Sequence, residues 1–488
     1  MSRAVRWSYA EALAWLDSHV NLEAIVAGRP EPSLDRMRRL CGLMGDPQTA
    51  FPVIHVTGTN GKGSTTGMIT ALLAARGLDV GTYTSPDLER VNERLARTQG
   101  HIDAFEEPDG DEEEQEAATS RGPADGFWGG DGGAPATITP ARTDMPVPVT
   151  EAIPDDELAA ALQAVAGLEG LLDSPLTRFE ILTAAAFRWF ADVAVDVAVV
   201  EVGLGGLYDA TNVADGQVAV VTNVSLDHAD ILGPRLEDIA AEKAGIVKPG
   251  STLVLGETSD ALAEVFRRAG AEQVWELDRH FGVRADRVAV GGRLVSLRTP
   301  TGEYDDVYLP VHGAHQASNA ALAMAAAEAF FGGPLPEDVV TEAFGGLRLP
   351  GRMEVMGRHP LVLLDGAHNV AGARAAAATV AEEFPGEGGL IAVVGMLEGR
   401  DPEEMLVALG LTTARLVVAC PAPSPRSFPP AAVAAVARSL GVDAVESASV
   451  AEALEAALDE AGEDDRVLVT GSLYVVGAAR TALRARQG

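Results

Sequence analysis

The 488-residue chain carries 37 basic against 71 acidic residues, a formal net charge of −34, and 47% of it is hydrophobic. That balance argues against non-specific binding to nucleic acid or to anionic membranes, both of which need a basic footprint, and the apolar content marks a folded chain of two or three domains. Two distant cysteines, Cys41 and Cys420, offer neither a disulfide framework nor a zinc motif and suit a reducing, cytoplasmic setting.

In chain order, "MSRAVRWSYAEALAWLDSHV" reads as an amphipathic helix, because Glu11 and Asp17 interrupt any apolar core a signal peptide would need. No run of about 18 apolar residues follows anywhere, so no membrane span is expected. "FPVIHVTG" (51–58) is a β-branched run, and "TTGMITALLAARG" is an amphipathic helix ending near Gly77. Between them lies "GTNGKGS", Gly58-Thr59-Asn60-Gly61-Lys62-Gly63-Ser64. A strand, a glycine turn and a helix aim backbone N–H groups and the helix dipole at one point, where a triphosphate can sit. Lysine is scarce: Lys62, Lys243 and Lys248 are the only three, and every other basic residue is Arg. A compact ammonium serves the β- and γ-phosphates in a way a planar guanidinium does not. Val56 stands where the first Gly of G-x-x-x-x-G-K-[ST] would be, so this is a variant loop.

Residues 105–150 break the pattern, being rich in Gly, Pro and acid. Residues 101–160 hold 16 acidic and 2 basic residues, a net of −14. The composition predicts a solvated, disordered insertion.

"VDVAVVEVG" (195–203) and "QVAVVTNV" (217–224) are further strands of a mainly parallel sheet covered on both faces. Glu201 stands near the carboxyl end of its strand, where α/β sheets place ligand-binding groups. His228, in "SLDHADILG", follows the next strand. Glu201 and His228 read as converging on a metal beside the phosphates, although a hydrogen-bonded structural histidine is the other reading for His228. "IAAEKAGIVKPG" (239–250) supplies Lys243 and Lys248, the latter also readable as a surface lysine. Residues 287–311 predict antiparallel strands, and 315–331 a helix. Beyond 347 a second α/β series begins with "LVLLDGAHN", "LIAVVGML", "ARLVVACP" and "RVLVTGS".

The motifs "HVTGTNGKGST", "YTSP…NERL", "VDVAVVEVGLGG…DATNV", "SLDHADILG", "EKAGIVKPG", "HQASNAA", "PGRMEV", "LDGAHN" and "TGSLYVVG" occur in this order. Together they resemble the folylpolyglutamate synthase/dihydrofolate synthase family, the folate branch of the Mur ligases, over nearly the whole chain outside 105–150. The resemblance implies an α/β fold: a phosphate-loop-containing central domain over 1–346 and a smaller C-terminal α/β domain over 347–488. It implies an ATP-dependent ligase that converts a carboxylate to an acyl phosphate and joins it to the amino group of L-glutamate. The acid is dihydropteroate, a reduced folate, or both, with Mg²⁺ as the metal and a monomer as the expected state. A related ligase for another carboxylate, and a non-catalytic nucleotide-binding relative, are the alternative readings.

By motif match, the resemblance makes Ser85, Glu201, His228 and a carbamylated Lys243 the metal ligands, whereas a generic phosphate-loop reading takes Ser64. Lys62, Lys243 and His228 become the catalytic set. Asn319, Arg352 and Asp365 become nucleotide contacts with the loop 58–64, and His368 its neighbour. Thr177, Tyr208, Asp209 and Ala210 face the pterin. The chain departs from the family pattern at Asp87, Leu207 and Val370, and Arg400 stands in a loop where lysine is usual. Asp87 and Leu207 are expected on the substrate side.

Overall fold

Strand β1 (Val53–Thr57) is buried along its whole length and lies at the centre of the larger sheet. The computed structural model describes residues 6–21, 33–100, 149–227 and 229–487. The acidic segment 105–150 therefore falls almost wholly outside the described residues, and so does His228. With β2 (Val80–Tyr83), β3 (Leu95–Thr98), β4 (Thr150–Ala152), β5 (Val197–Glu201), β6 (Gly216–Val221), β7 (Thr252–Leu255) and β8 (Gln273–Glu276), β1 forms an eight-stranded sheet ordered β4-β3-β2-β5-β1-β6-β7-β8. Only the β2–β3 and β3–β4 pairings are antiparallel. The expected mainly parallel sheet is thus observed, with Thr150 pairing against Thr98 at its edge.

The parallel strands are apolar on both faces, so helices must cover both. On one face the helix Lys62–Ala75 buries Met68, Ile69, Leu72 and Leu73. It packs with the alanine-rich helix Ala314–Phe331, whose small side chains permit close approach. Each such Leu contributes roughly 1.5–3 kcal/mol of burial. On the other face the helix Arg178–Asp192 buries Phe187, Trp189 and Phe190.

A three-stranded antiparallel sheet follows, formed by β9 (Gly282–Ala289), β10 (Gly292–Arg298) and β11 (Glu303–Leu309). Its first strand begins five residues before the run that predicted it. A six-stranded sheet then takes β12 (Glu354–Arg358), β13 (Leu361–Leu364), β14 (Leu390–Val394), β15 (Leu416–Ala419), β16 (Ala444–Glu446) and β17 (Arg466–Thr470) in the order β12-β13-β17-β14-β15-β16. Two apolar clusters whose buried members run from Met353 onward flank this sheet. Among the described residues no helix is long and apolar enough to cross a membrane.

Within β1, His55 is fully buried, and its Nε2–H donates to Thr211 Oγ1 at 2.9 Å. Desolvation, with the nearby charge of Lys248, pushes its pKa down to about 3. The unfolded chain therefore binds a proton at this histidine that the folded chain refuses. This part of stability is complete above pH 6.5 and is lost as pH falls towards 3. The loss is about 2 kcal/mol between pH 6.5 and 5. Denaturant titrations at the two pH values should show that difference shrinking by about this amount in His55→Gln.

Candidate active site

The carboxyl ends of β1, β2, β5 and β6 open into one cavity of about 720 Å³. The glycine turn after β1 shapes its floor. Gly58 has φ +147°, and a Cβ there would land 1.8 Å from Thr222 Oγ1. Gly61, at φ +84°, ends the turn as the N-cap of Lys62–Ala75. A Cβ on Gly61 would lie 2.6 Å from Asn319 Oδ1, so Asn319 sits directly behind the loop. Asn60 pins the turn to the chain after β6: its N–H donates to Asn223 Oδ1 at 3.0 Å, and its carbonyl accepts from Thr222 Oγ1 at 2.6 Å. Gly58→Ala should therefore displace the loop and weaken nucleotide binding by at least about tenfold, since both the φ and the space demand glycine. Calorimetric titration with ADP measures this.

Lys62 folds over the loop, its Nζ donating to the carbonyls of Gly58 at 3.1 Å and Thr59 at 3.3 Å. Glu201 closes β5 opposite it. Burial pushes the Glu201 carboxyl up, against the charges of Lys62 and Arg352 and an N–H from Ser85. Ser85 lines the cavity, whereas Ser64 is buried in the first turn of the helix and does not. Lys243, near the end of the helix Leu236–Ala244, also lines it. Desolvation first, then repulsion from Lys62, push its pKa down to about 7 against the pull of Asp227, Asp209 and Glu242. Among the described residues no three His, Cys, Asp or Glu side chains converge as a metal cluster. The oxygen donors lining the cavity beside the loop include the Glu201 carboxylate, 3.5 Å from where a Cβ on Gly63 would stand, and Ser85. Mg²⁺ commonly binds through one or two carboxylates, substrate phosphates and water, so this donor set fits that ion.

The second wall is apolar and aromatic, with Leu34, Met37, Phe179 and Tyr208 among its members. Thr177, Asp209 and Ala210 line the same space. Tyr208 is 48% exposed. Asp209, by contrast, is occupied in holding the loop after β5. Its carboxylate accepts the N–H groups of Leu204 and Thr211 at 3.0 Å each, and burial pushes its pKa up. Through Thr211 this anchoring reaches His55.

Residues from beyond 347 complete the cavity: Arg352, His368, Leu397, Arg400, Arg426, Ser472 and Tyr474. His368 Nδ1 lies 2.9 Å from the Gly366 carbonyl, and burial pushes its pKa down. Asp365 does not line the cavity. Its buried carboxylate accepts from the N–H groups of Met353 at 3.0 Å and Ala367 at 2.9 Å, so it shapes the turn that carries Arg352 and His368. Asp87 and Leu207, expected on the substrate side, do not line the cavity either. Asp87 is held by the buried Arg94 guanidinium at 2.6 Å, and Leu207 lies against Gly245. Lys248 also stays outside, donating to the Asn212 carbonyl at 3.3 Å.

Sequence reasoning did not assign the residues that join the two parts of the chain here. Asp227 receives Arg400 Nη1 at 2.5 Å and Asn369 Nδ2 at 3.0 Å, while Asn369 also donates to Asn60 Oδ1 at 2.9 Å. Asp227 and Asn369 sit inside quoted motifs, so a signal existed. Arg36 and Glu180, which also line the cavity, lie outside the motifs that were quoted.

Residues 156–327 match the Mur ligase middle domain and 351–473 the Mur ligase glutamate ligase domain. The chain is 38% identical over 485 residues to the dihydrofolate synthase/folylpolyglutamate synthase of Mycobacterium tuberculosis, covering 93% of this chain and 90% of that protein. Among solved structures it resembles Mycobacterium tuberculosis folylpolyglutamate synthase complexed with ADP, with a TM-score of 0.81 and 34% identity, over 97% of this chain and 98% of the other. It also resembles a bifunctional folylpolyglutamate synthase/dihydrofolate synthase with Mn, AMPPNP and L-glutamate bound, with a TM-score of 0.75 and 27% identity over 98% of each chain.

Proposed function

The chain belongs to the dihydrofolate synthase/folylpolyglutamate synthase family of Mur ligases, and from that membership we propose how its own residues divide the work. It is an ATP-dependent ligase that joins L-glutamate to dihydropteroate, to the γ-carboxyl of reduced folates, or to both. ATP is its co-substrate and a divalent metal its cofactor. The observation that carries the reading is one cavity in which a phosphate-type glycine loop and an aromatic wall face each other.

The problem the site must solve is charge. A carboxylate oxygen of the acid forms a bond to the γ-phosphorus while the bond to the β-phosphate oxygen breaks, releasing ADP. The glutamate amine then attacks the acyl carbon, the tetrahedral intermediate expels phosphate, and the amine loses its proton. Lys62 and the loop N–H groups 58–64 hold the phosphates. Arg352 and Arg400 add positive charge from the C-terminal part, and their preorganisation lowers the barrier where charge develops. Ser85, Glu201 and His228, with Lys243 as a carbamate, would hold the metal, which when bound neutralises the phosphate oxygens. Asn319 and Asp365 position the loop and the Arg352 turn, and His368 stands beside the phosphates. Tyr208, Ala210 and Thr177 receive the acid, and Asp209 fixes their loop. We take the division near residue 347 as a domain boundary, since separate cores lie on either side of it.

The test is glutamate-dependent ADP release with Mg²⁺ and bicarbonate, using dihydropteroate and tetrahydrofolate in separate assays. Turnover with either acid is the expected result, and its distribution assigns one activity or both. Silence with both acids from protein that still binds ATP overturns the reading.

A further inference from the structure

The wall farthest in character from the phosphate loop holds an ion pair outside every motif quoted above. Arg36, in the helix Asp35–Leu43, donates its Nε to Glu180 Oε1 at 2.9 Å and Oε2 at 3.1 Å, and its Nη2 lies 2.8 Å from Oε1. Its Nη1 also reaches Ser174 Oγ at 3.2 Å. Both partners line the cavity. Glu180 is nearly buried, and its carboxylate accepts from the guanidinium fork and from Thr177.

That fixes the state of its neighbour. Thr177 is the N-cap of Arg178–Asp192 and shares a reciprocal capping box with Glu180. Its hydroxyl donates to Glu180 Oε2 at 2.8 Å and accepts the Glu180 N–H at 3.2 Å. The Thr177 N–H also donates to Oε2, at 2.8 Å. A hydroxyl has one hydrogen and two lone pairs. The hydrogen and one lone pair are committed, so a single lone pair remains for the cavity.

We infer that Arg36 and Glu180 are positioning residues that hold Thr177 as a pure hydrogen-bond acceptor, so that the acid is selected by an N–H donor on its heteroaromatic head group. This rests on the functional reading above and deepens it. A head group offering only an acceptor at that point would meet a lone pair and be rejected, because no hydrogen can turn towards it. Arg36 sets the Thr177 hydroxyl through Glu180, although its own side chain lines the cavity as well.

The experiment is calorimetric titration of the full chain, with ADP present, against dihydropteroate and an analogue methylated at its ring N–H. Wild type, Thr177→Val and Glu180→Ala are compared. Wild type should bind the methylated analogue at least about tenfold more weakly. In Thr177→Val that gap should fall to about threefold or less, because the acceptor is gone. Glu180→Ala removes the acceptor that holds the Thr177 hydrogen and frees the hydroxyl to rotate, so the gap should narrow there too. Melting curves verify that both variants fold. A gap in both variants as wide as in wild type overturns this inference and leaves the functional reading standing. Failure of wild type to bind either compound removes the substrate reading and this inference with it.

Discussion

Lys62→Ala should lower glutamate-dependent ADP release by about 10²–10³-fold, the usual size of a lost charge-stabilising group, with the fold intact. In the structure the Lys62 ammonium spans two carbonyls of its own turn, Gly58 and Thr59. It thus rests directly over the loop, with the negative charge of Glu201 also within its field. Its packing contribution is small, because it opens the helix at a partly exposed position. Lys62→Arg is the informative companion. If a compact point charge is what the γ-phosphate requires, the guanidinium restores little of the rate. Single-turnover rates at saturating ATP, with melting curves alongside, check both. A rate within a few-fold of wild type in Lys62→Ala would remove the loop from the chemistry.

The second large effect concerns Lys243. A carbamate forms only on a neutral amine, and desolvation brings this lysine down to about 7, so a usable neutral fraction exists near neutrality. Arginine cannot be neutral in a protein. Lys243→Arg should therefore lose at least about 10²-fold in turnover, comparable with removing an outer or inner support of a metal site. Wild type stripped of dissolved CO₂ should slow and then recover when bicarbonate returns, whereas Lys243→Arg should not respond. If wild type is indifferent to bicarbonate, the carbamate is excluded, and the position of Lys243 needs another explanation.

Much of this was legible from the sequence, for a physical reason. Apolar, often β-branched runs ending in Gly or polar residues report buried parallel strands, and β1, β5, β6 and β13 were found that way. The loop 58–64, Glu201 and Lys243 were legible because each breaks the local chemistry, with a lysine among arginines or an acid at a strand end. β16, with only three residues, and β4, beside the acidic segment, are too short for a periodic signal. Asp87 illustrates the other limit. Its departure from pattern suggested a substrate role, yet Arg94, seven residues on, claims it. Asp209 and Asp365 were both read as ligand-facing; Asp209 lines the cavity while its carboxylate holds the loop after β5, whereas Asp365 stays outside and spends its carboxylate on backbone N–H groups. A sequence shows which side chains can bind a ligand, but not which have already been taken by their neighbours.

Two of the chain's three lysine side chains, Lys62 and Lys243, line one cavity, and the third lies outside it. For a chemist this makes the site addressable without mutagenesis. Reductive methylation with a carbon-13 label can place side-chain probes at only three positions in 488 residues. Two of the resulting resonances would then report on the same cavity, free of the crowding that lysine-rich surfaces impose.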